Sequence, residues 1–228
     1  AGHSLGEYTA LVAAGVLTTA HGAALVVERG DAMQEAADAR DGTMAALMGI
    51  ADDDAEDACR QAATEVWVAN YNAPGQVVIA GSPAGIEAAT GPARELGARK
   101  VLPLPVSGAF HTPLMEPARE RLEARLSTVA FAAPTVPVVA NVDGEIHSDG
   151  GEWPGLLAAQ LCSPVRWRHG LATLADHGVD VALELGPGGV LTGMVRRAEP
   201  TIRGVSVASP DDLDDLPAQV AGPDEETP

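Results

Sequence analysis

The stretch Val66-Trp67-Val68-Ala69-Asn70-Tyr71-Asn72-Ala73-Pro74-Gly75-Gln76-Val77-Val78-Ile79-Ala80 decides how the chain is read. Two β-rich runs, Val66 to Tyr71 and Gln76 to Ala80, are parted by Asn72-Ala73-Pro74-Gly75, which is the pattern of a hairpin. On its N-terminal side Met44 to Ile50 is strand-like. Asp52 to Ala63 is helical, with acids at the end where the helix dipole favours them. On its C-terminal side Ser82-Pro83 offers an N-cap with proline at the first helical position. That helix ends near Gly97, and Val101 to Val106 is a last strand. The order βαββαβ, over about sixty residues, is the ferredoxin-like or split βαβ unit.

Working outward, Leu5 to Ala14 reads as a short helix closed by Gly15, and His21 to Ala37 as a second. Beyond the βαββαβ unit, Leu114, Ala118, Leu122 and Leu126 recur every four residues, on one face of a helix. Val136 to Val142 is a strand ending at Asp143-Gly144, while Leu156 to Leu161 and Arg168 to His177 are helical. Val181 to Leu185 reads as a buried-type strand, Gly186 to Gly189 turns the chain into a helix reaching Arg197, and Gly204 to Val207 is one more strand. Strands alternating with helices imply an α/β fold with a mainly parallel sheet. The expected organisation is a large α/β subdomain over residues 1–41 and 105–208, a small ferredoxin-like subdomain inserted over 42–104, and an acidic, disordered tail over 209–228.

The 228 residues carry 14 Lys+Arg against 32 Asp+Glu, a net charge of −18, and 46% are hydrophobic, enough for a sizeable core. Seven of the acids lie in residues 209–228, so −11 remains on residues 1–208. Such a surface repels phosphate backbones, and a nucleic-acid partner is not expected. Cys59 and Cys162 form no CxxC and no disulfide framework, and no apolar run approaches the length of a membrane span. A cytoplasmic monomer with no membrane partner is the expectation. Ala1 is not an initiator methionine and the chain opens inside a motif, so it reads as a fragment.

That motif is Gly2-His3-Ser4-Leu5-Gly6, the G-x-S-x-G of a nucleophile elbow, in which a tight turn thrusts the serine hydroxyl out of the backbone. A side chain at either flanking glycine would crowd the turn. The Leu5 backbone N–H, at the helix start, would face a developing oxyanion. The same residues allow a second reading: Ser4-Leu5-Gly6-Glu7 is also S-x-x-E, a capping box that needs no catalysis. A serine nucleophile needs a base. His3 would point away from its neighbour's hydroxyl, His21 opens a helix, His147 sits in a polar turn, His169 reads as a surface residue and His177 suits a helix C-terminus. His111 follows an apolar strand and Ser107-Gly108, in a strand-end loop where α/β folds place working residues. Arg29 has a guanidinium fork suited to a carboxylate, or else lies along a helix surface. Gly186 to Gly189 lacks the Lys-Ser/Thr of a phosphate loop, the His and Cys spacing offers no metal site, and Asp52-Asp53-Asp54 reads as a solvated helix start.

Gly2 to Tyr8, Arg29-Gly30 with Met33-Gln34, Asn72 to Gly81, Phe110-His111, Gln160 before Pro164-Val165, and Gly186-Pro187-Gly188 resemble, in that order, malonyl-CoA:acyl-carrier-protein transacylases. The resemblance runs from residue 1 to about 208. It implies an α/β-hydrolase-like core with a ferredoxin-like insert, and an [acyl-carrier-protein] S-malonyltransferase of fatty-acid synthesis that needs no cofactor. By the resemblance Ser4 would attack malonyl-CoA, and His111 would take its proton and later activate the pantetheine thiol of acyl carrier protein. The Gln160 main-chain carbonyl would orient His111, and Arg29 would hold the free malonyl carboxylate. Phe110 would favour malonyl over methylmalonyl, although excluding a methyl yields only about 1–3 kcal/mol.

Acyl carrier proteins are acidic, so docking onto this acidic chain needs local cations: Arg99-Lys100 and Arg196-Arg197 are the candidates. Three alternatives stay open. One is an acyltransferase domain of a polyketide synthase, one a serine hydrolase, which would not need Arg29, and one a non-catalytic fragment. The last arises because family members carry, well before the elbow, a Gly-Gln-Gly segment that supplies the second oxyanion donor and an early strand. Losing one such donor costs about 10²–10³ in rate, so the chain by itself is expected to be unstable and nearly inactive.

Overall fold

Gly6–Ala13 (α1) and Thr19–Ala39 (α2) come first, the second capped by Thr18, whose hydroxyl accepts from His21 N at 3.1 Å. Then follow Thr43–Met48 (β1), Asp52–Ala62 (α3), Val66–Ala73 (β2), Gln76–Gly81 (β3), Pro83–Glu95 (α4) and Lys100–Pro103 (β4). The computed structural model describes residues 1–221, and its packing divides the chain between Gly170 and Leu171. The four strands form one antiparallel sheet in the order β2-β3-β1-β4, the ferredoxin-like arrangement. Ala73 faces Gln76 across the hairpin, which leaves Pro74-Gly75 as its turn, with Gly75 at φ +72°. Ser82 caps α4 through Gly85 N at 3.0 Å.

Both faces of this sheet are covered, which is why β1 and β3 read as unbroken apolar runs. Ala45, Leu47, Val77 and Ile79 pack under α3 and α4, and their alternates Met44, Ala46, Val78 and Ala80 pack against Ala109 and Leu114. The second face therefore seats the loop that carries His111. β4 is shorter than the expected Val101 to Val106, because Pro103 and Pro105 have no N–H to give to a ladder.

A 3₁₀ turn at Pro113–Met115 leads into Glu116–Leu126 (α5), and Trp153–Gln160 (α6) follows. With α1 and α2 these helices enclose a core of Tyr8, Leu11, Leu25, Leu122, Trp153 and Leu157, all at most 1% exposed. Between α5 and α6 the expected strand Val136 to Val142 shrinks to Val138–Val139 (β5), paired with Ile146–His147 (β6). Asn141 N donates to the Glu7 carboxylate at 2.7 Å instead of to a ladder, a contact made across the fold. Val165 exchanges backbone bonds with Ala69 and Tyr71 beside β2, forming an isolated parallel bridge.

Trp167–Asp176 (α7) runs across the division at Gly170. The second unit holds Val181–Leu185 (β7), Val190–Ala198 (α8) and Arg203–Val207 (β8), and β7 and β8 are parallel. The α/β class holds, but the parallel ladder among the described residues is this one pair. β7 is not the buried strand the sequence suggests: Leu183 is 43% and Leu185 72% exposed, since β8 is its sole paired strand among the described residues. The tail read as disordered from 209 contains a 3₁₀ turn at Pro210–Leu213 and a short helix, Leu216–Ala221 (α9); residues 222–228 lie outside the described residues. No helix of the described residues is long and apolar enough to cross a membrane.

Candidate active site

Ser4 has φ +50°, in the left-handed region, and α1 begins two residues later with Leu5 at its N-cap. For a non-glycine residue that conformation costs about 1–3 kcal/mol and persists where the surroundings over-determine it. Asn141 does so from across the fold, accepting from Ser4 N at 2.7 Å and donating to Gly2 O at 2.8 Å. Gly6 N donates to His3 O at 2.9 Å and closes the turn. A Cβ at Gly2 would lie 2.0 Å from Gly6 O, whereas one at Gly6 would meet nothing within 4 Å among the described residues. The expected crowding therefore applies to Gly2 and not to Gly6.

His111 is also left-handed, at φ +62°. Its loop is held from both sides. Thr112 Oγ1 donates to Ala109 O at 2.6 Å, and Gly42 lets Ala109 approach so closely that a Cβ there would sit 2.5 Å from Ala109 N. The result brings His111 Nε2 to 2.8 Å from Ser4 Oγ and His111 Nδ1 to 2.8 Å from Gln160 O. A carbonyl can only accept, so Nδ1 carries the proton and the Nε2 lone pair faces the serine hydroxyl. Burial pulls His111 down to about 3, with Arg29 and His3 adding to the effect and the Gln160 hydrogen bond opposing it. The imidazole is thus a neutral acceptor throughout the physiological range.

Arg29, on α2 and 5% exposed, meets the same oxygen: its Nη2 donates to Ser4 Oγ at 2.8 Å and to Gln160 Oε1 at 3.0 Å. Its guanidinium carbon lies 5.8 Å from the Tyr8 ring centroid, a cation–π distance. Burial lowers its affinity for the proton, while Tyr8 and Glu7 raise it. Arg29 Nε and Tyr8 OH are buried without a hydrogen-bond partner among the described residues.

Glu7 and Asn141 are the members of this cluster that sequence reasoning missed. Glu7 was legible only as a capping-box acid, and that alternative fails. Its carboxylate accepts from Asn141 N at 2.7 Å and from Gln160 Nε2 at 2.5 Å, while the Ser4 hydroxyl is engaged by His111 and Arg29. Glu7 is fully buried, which lifts it to about 7. Asn141 carried one signal, its place at the end of a predicted strand.

The other expected residues lie as follows. Leu5 is half exposed, and its amide hydrogen-bonds to nothing among the described residues. Phe110 packs into the core beside the sheet, its ring against Gly108, where a Cβ would be 2.6 Å from two ring carbons. Arg99, Lys100, Arg196 and Arg197 are exposed, the first two at the start of β4 and the last two in the final turn of α8. His3 turns away from Ser4 to bond Asn72 Oδ1 at 2.9 Å. His169 is not a surface residue but half-buried, edge-on to Tyr71. Asp52 is not simply solvated, since it pairs with Arg168 at 2.6 Å. The α8 amides that could face a phosphate after the glycine-rich turn are taken by Glu184, at 3.1 Å from Leu191 N and 2.7 Å from Thr192 N. Both cysteines are free, and among the described residues no group of three or more His, Cys, Asp or Glu is arranged for a metal. A cavity of about 490 Å³ reaches His111 between α3, β2 and the segment around Cys162, with Tyr71, Trp67 and Arg60 in its wall.

A serine in a strained turn, a neutral imidazole on its hydroxyl and a buried guanidinium on the same oxygen can take up an acyl group and hold an anion beside it. The family model for the acyl transferase domain matches residues 1–210. The malonyl CoA-acyl carrier protein transacylase of Escherichia coli (strain K12) is 44% identical over 212 residues, covering 92% of this chain and 69% of its own length. The crystal structure of an acyl carrier protein S-malonyltransferase from Vibrio cholerae has a TM-score of 0.91 at 42% identity, covering 94% of this chain and 71% of that one. A malonyl-transacylase solved in complex with a type II PKS acyl-carrier protein has a TM-score of 0.90 at 39% identity, covering 93% and 70%.

Proposed function

The chain belongs to the acyl transferase family, and on that premise we propose that it moves the malonyl group of malonyl-CoA onto the phosphopantetheine thiol of acyl carrier protein through an ester on Ser4. In the first half-reaction Ser4 Oγ attacks the thioester carbonyl while its proton passes to His111 Nε2. The C–S bond then breaks and the proton leaves with the coenzyme A thiol. In the second, the pantetheine thiol gives its proton to His111 and attacks the ester carbonyl, and Ser4 recovers that proton as it departs. The Gln160 carbonyl stabilises the imidazolium formed between these steps, which is the part an acid plays in a Ser-His-Asp triad. The Leu5 amide donates to the oxyanion of each tetrahedral intermediate.

Arg29 holds the malonyl carboxylate by charge-assisted hydrogen bonds and keeps the acyl group clear of water. Phe110 sets the acyl size through the loop it anchors. Arg99, Lys100, Arg196 and Arg197 are the docking cations for an acidic carrier protein. The reaction needs no cofactor, and its place is cytoplasmic fatty-acid synthesis by separate proteins.

The observation that carries this reading is the shared oxygen: Ser4 Oγ lies 2.8 Å from both His111 Nε2 and Arg29 Nη2. A hydrolase for neutral acyl groups has no use for a buried guanidinium there. Intact-mass spectrometry after mixing the full-length protein with malonyl-CoA should show a malonyl adduct that acyl carrier protein removes and Ser4→Ala abolishes. An adduct that persists in Ser4→Ala sinks the assignment.

A further inference from the structure

The Gln160 side chain has a job separate from its main-chain carbonyl. Nε2 donates to Ser4 O at 3.0 Å and to Glu7 Oε2 at 2.5 Å, and Oε1 accepts from Arg29 Nη2 at 3.0 Å. An amide can be turned end for end, and here the turned form would set its NH₂ against the guanidinium, donor to donor. The charged group opposing that form is Glu7, buried under the elbow with both carboxylate oxygens accepting. Buried polar networks of this kind are costly when partly satisfied, so one member can dictate the orientation of the rest.

We propose that Glu7 is a positioning residue for acyl transfer: its carboxylate fixes the Gln160 amide with Oε1 toward Arg29, and thereby fixes where the guanidinium points relative to Ser4. The inference rests on the malonyl-transfer reading above. Glu7 touches no reacting atom and acts through Gln160. The charges facing it are Arg29 from α2 and Asp143 from the turn after β5, with Tyr8 beside it on α1. Burial favours the acid, while the hydrogen bonds from Asn141 and Gln160, and after them Arg29, favour the carboxylate.

Glu7→Gln is the informative substitution because it keeps shape and changes donors. The Asn141 backbone N–H cannot turn, so the new amide must give it an oxygen and present NH₂ to Gln160. The alternative leaves two donors facing at Asn141. In the first case Gln160 flips and repels Arg29. The malonyl-CoA kcat/KM of the full protein should then fall about 10- to 100-fold, while transfer of the uncharged acetyl group falls less than about 3-fold. In an Arg29→Ala background the same substitution should cost malonyl transfer nothing more, since the group it acts on is gone. Glu7→Asp, which keeps two acceptor oxygens, should recover part of the malonyl preference, and it carries the test if Glu7→Gln fails to fold. Equal losses for both donors, or a full Glu7→Gln loss persisting in Arg29→Ala, would overturn the proposal. A wild-type protein forming no adduct on Ser4 would instead overturn the acyl-transfer reading.

Discussion

Alanine at the two glycines of the elbow should have opposite effects. At Gly2 the new Cβ would lie 2.0 Å from the Gly6 carbonyl oxygen and 2.1 Å from its carbon, backbone atoms that cannot rotate aside. Relief requires the turn to open, which pulls Ser4 N and Gly2 O off Asn141 and Ser4 Oγ off His111. Overpacking costs about 1–3 kcal/mol, and a buried polar group left unpaired costs about 1–3 kcal/mol more. At this chain length each kcal/mol moves Tm by about 2–4 °C, so Gly2→Ala should lose about 5–20 °C. At Gly6, the first residue of α1, a Cβ meets nothing within 4 Å among the described residues, and alanine gains at most about 1 kcal/mol of helix propensity. Gly6→Ala should therefore melt at or slightly above the wild-type temperature. Calorimetry reads the stability, and rapid-quench mass spectrometry of Ser4 acylation by malonyl-CoA reads the chemistry. A displacement of 1 Å at a reacting atom costs about 10² in rate, so Gly2→Ala should acylate about a hundredfold more slowly while Gly6→Ala keeps the wild-type rate. A wild-type melting point and rate in Gly2→Ala, or equal damage at the two positions, would refute the elbow geometry.

Replacing Arg29 by alanine should lower malonyl kcat/KM by about 10²-fold or more, since two charge-assisted hydrogen bonds at about 1.5–3 kcal/mol each are lost. Acetyl transfer should be spared, and an equal loss for both donors would remove Arg29 from carboxylate recognition. Charge reversal at Arg196 and Arg197, and separately at Arg99 and Lys100, should raise the apparent KM for acyl carrier protein without changing that for malonyl-CoA; an unchanged value takes that pair out of the docking surface. The stability of the protein should also carry the signature of two opposed titrations. His111 binds its proton near 6.5 when unfolded and only near 3 in the fold, so its contribution is lost as pH falls from 6.5. Glu7 ionises near 4.5 unfolded and near 7 in the fold, so its contribution is lost as pH rises from 4.5. Between pH 4.5 and 6.5 the two slopes, about 1.4 kcal/mol per pH unit each, cancel. Urea midpoints of His111→Gln should gain on wild type as pH falls through that window, and parallel curves would contradict the burial of a neutral imidazole.

Read without coordinates, the chain determined those features whose causes are local. The βαββαβ order was legible because the Pro74-Gly75 turn, the Ser82-Pro83 cap and the apolar runs beside them each act within a few residues. The elbow was legible in the same way, from glycines two residues on either side of Ser4. The order of the motifs pointed to the arginine and the histidine, and to Gln160. What periodicity could not supply was the function of side chains satisfied only by distant partners. Asn141 meets Ser4 across 137 positions, and Gln160 meets Glu7 across 153. A glutamate three residues after a serine looks like a helix cap until something else claims both side chains. The same holds for exposure: Val181 to Leu185 has the composition of a buried strand, but burial belongs to the neighbours, and β7 has only β8 beside it among the described residues. Tertiary structure alone decided which elbow glycine is crowded, which end of the Gln160 amide faces Arg29 and which ring nitrogen of His111 faces Ser4. Each of these is fixed by donors and acceptors that the chain brings together only after it has folded.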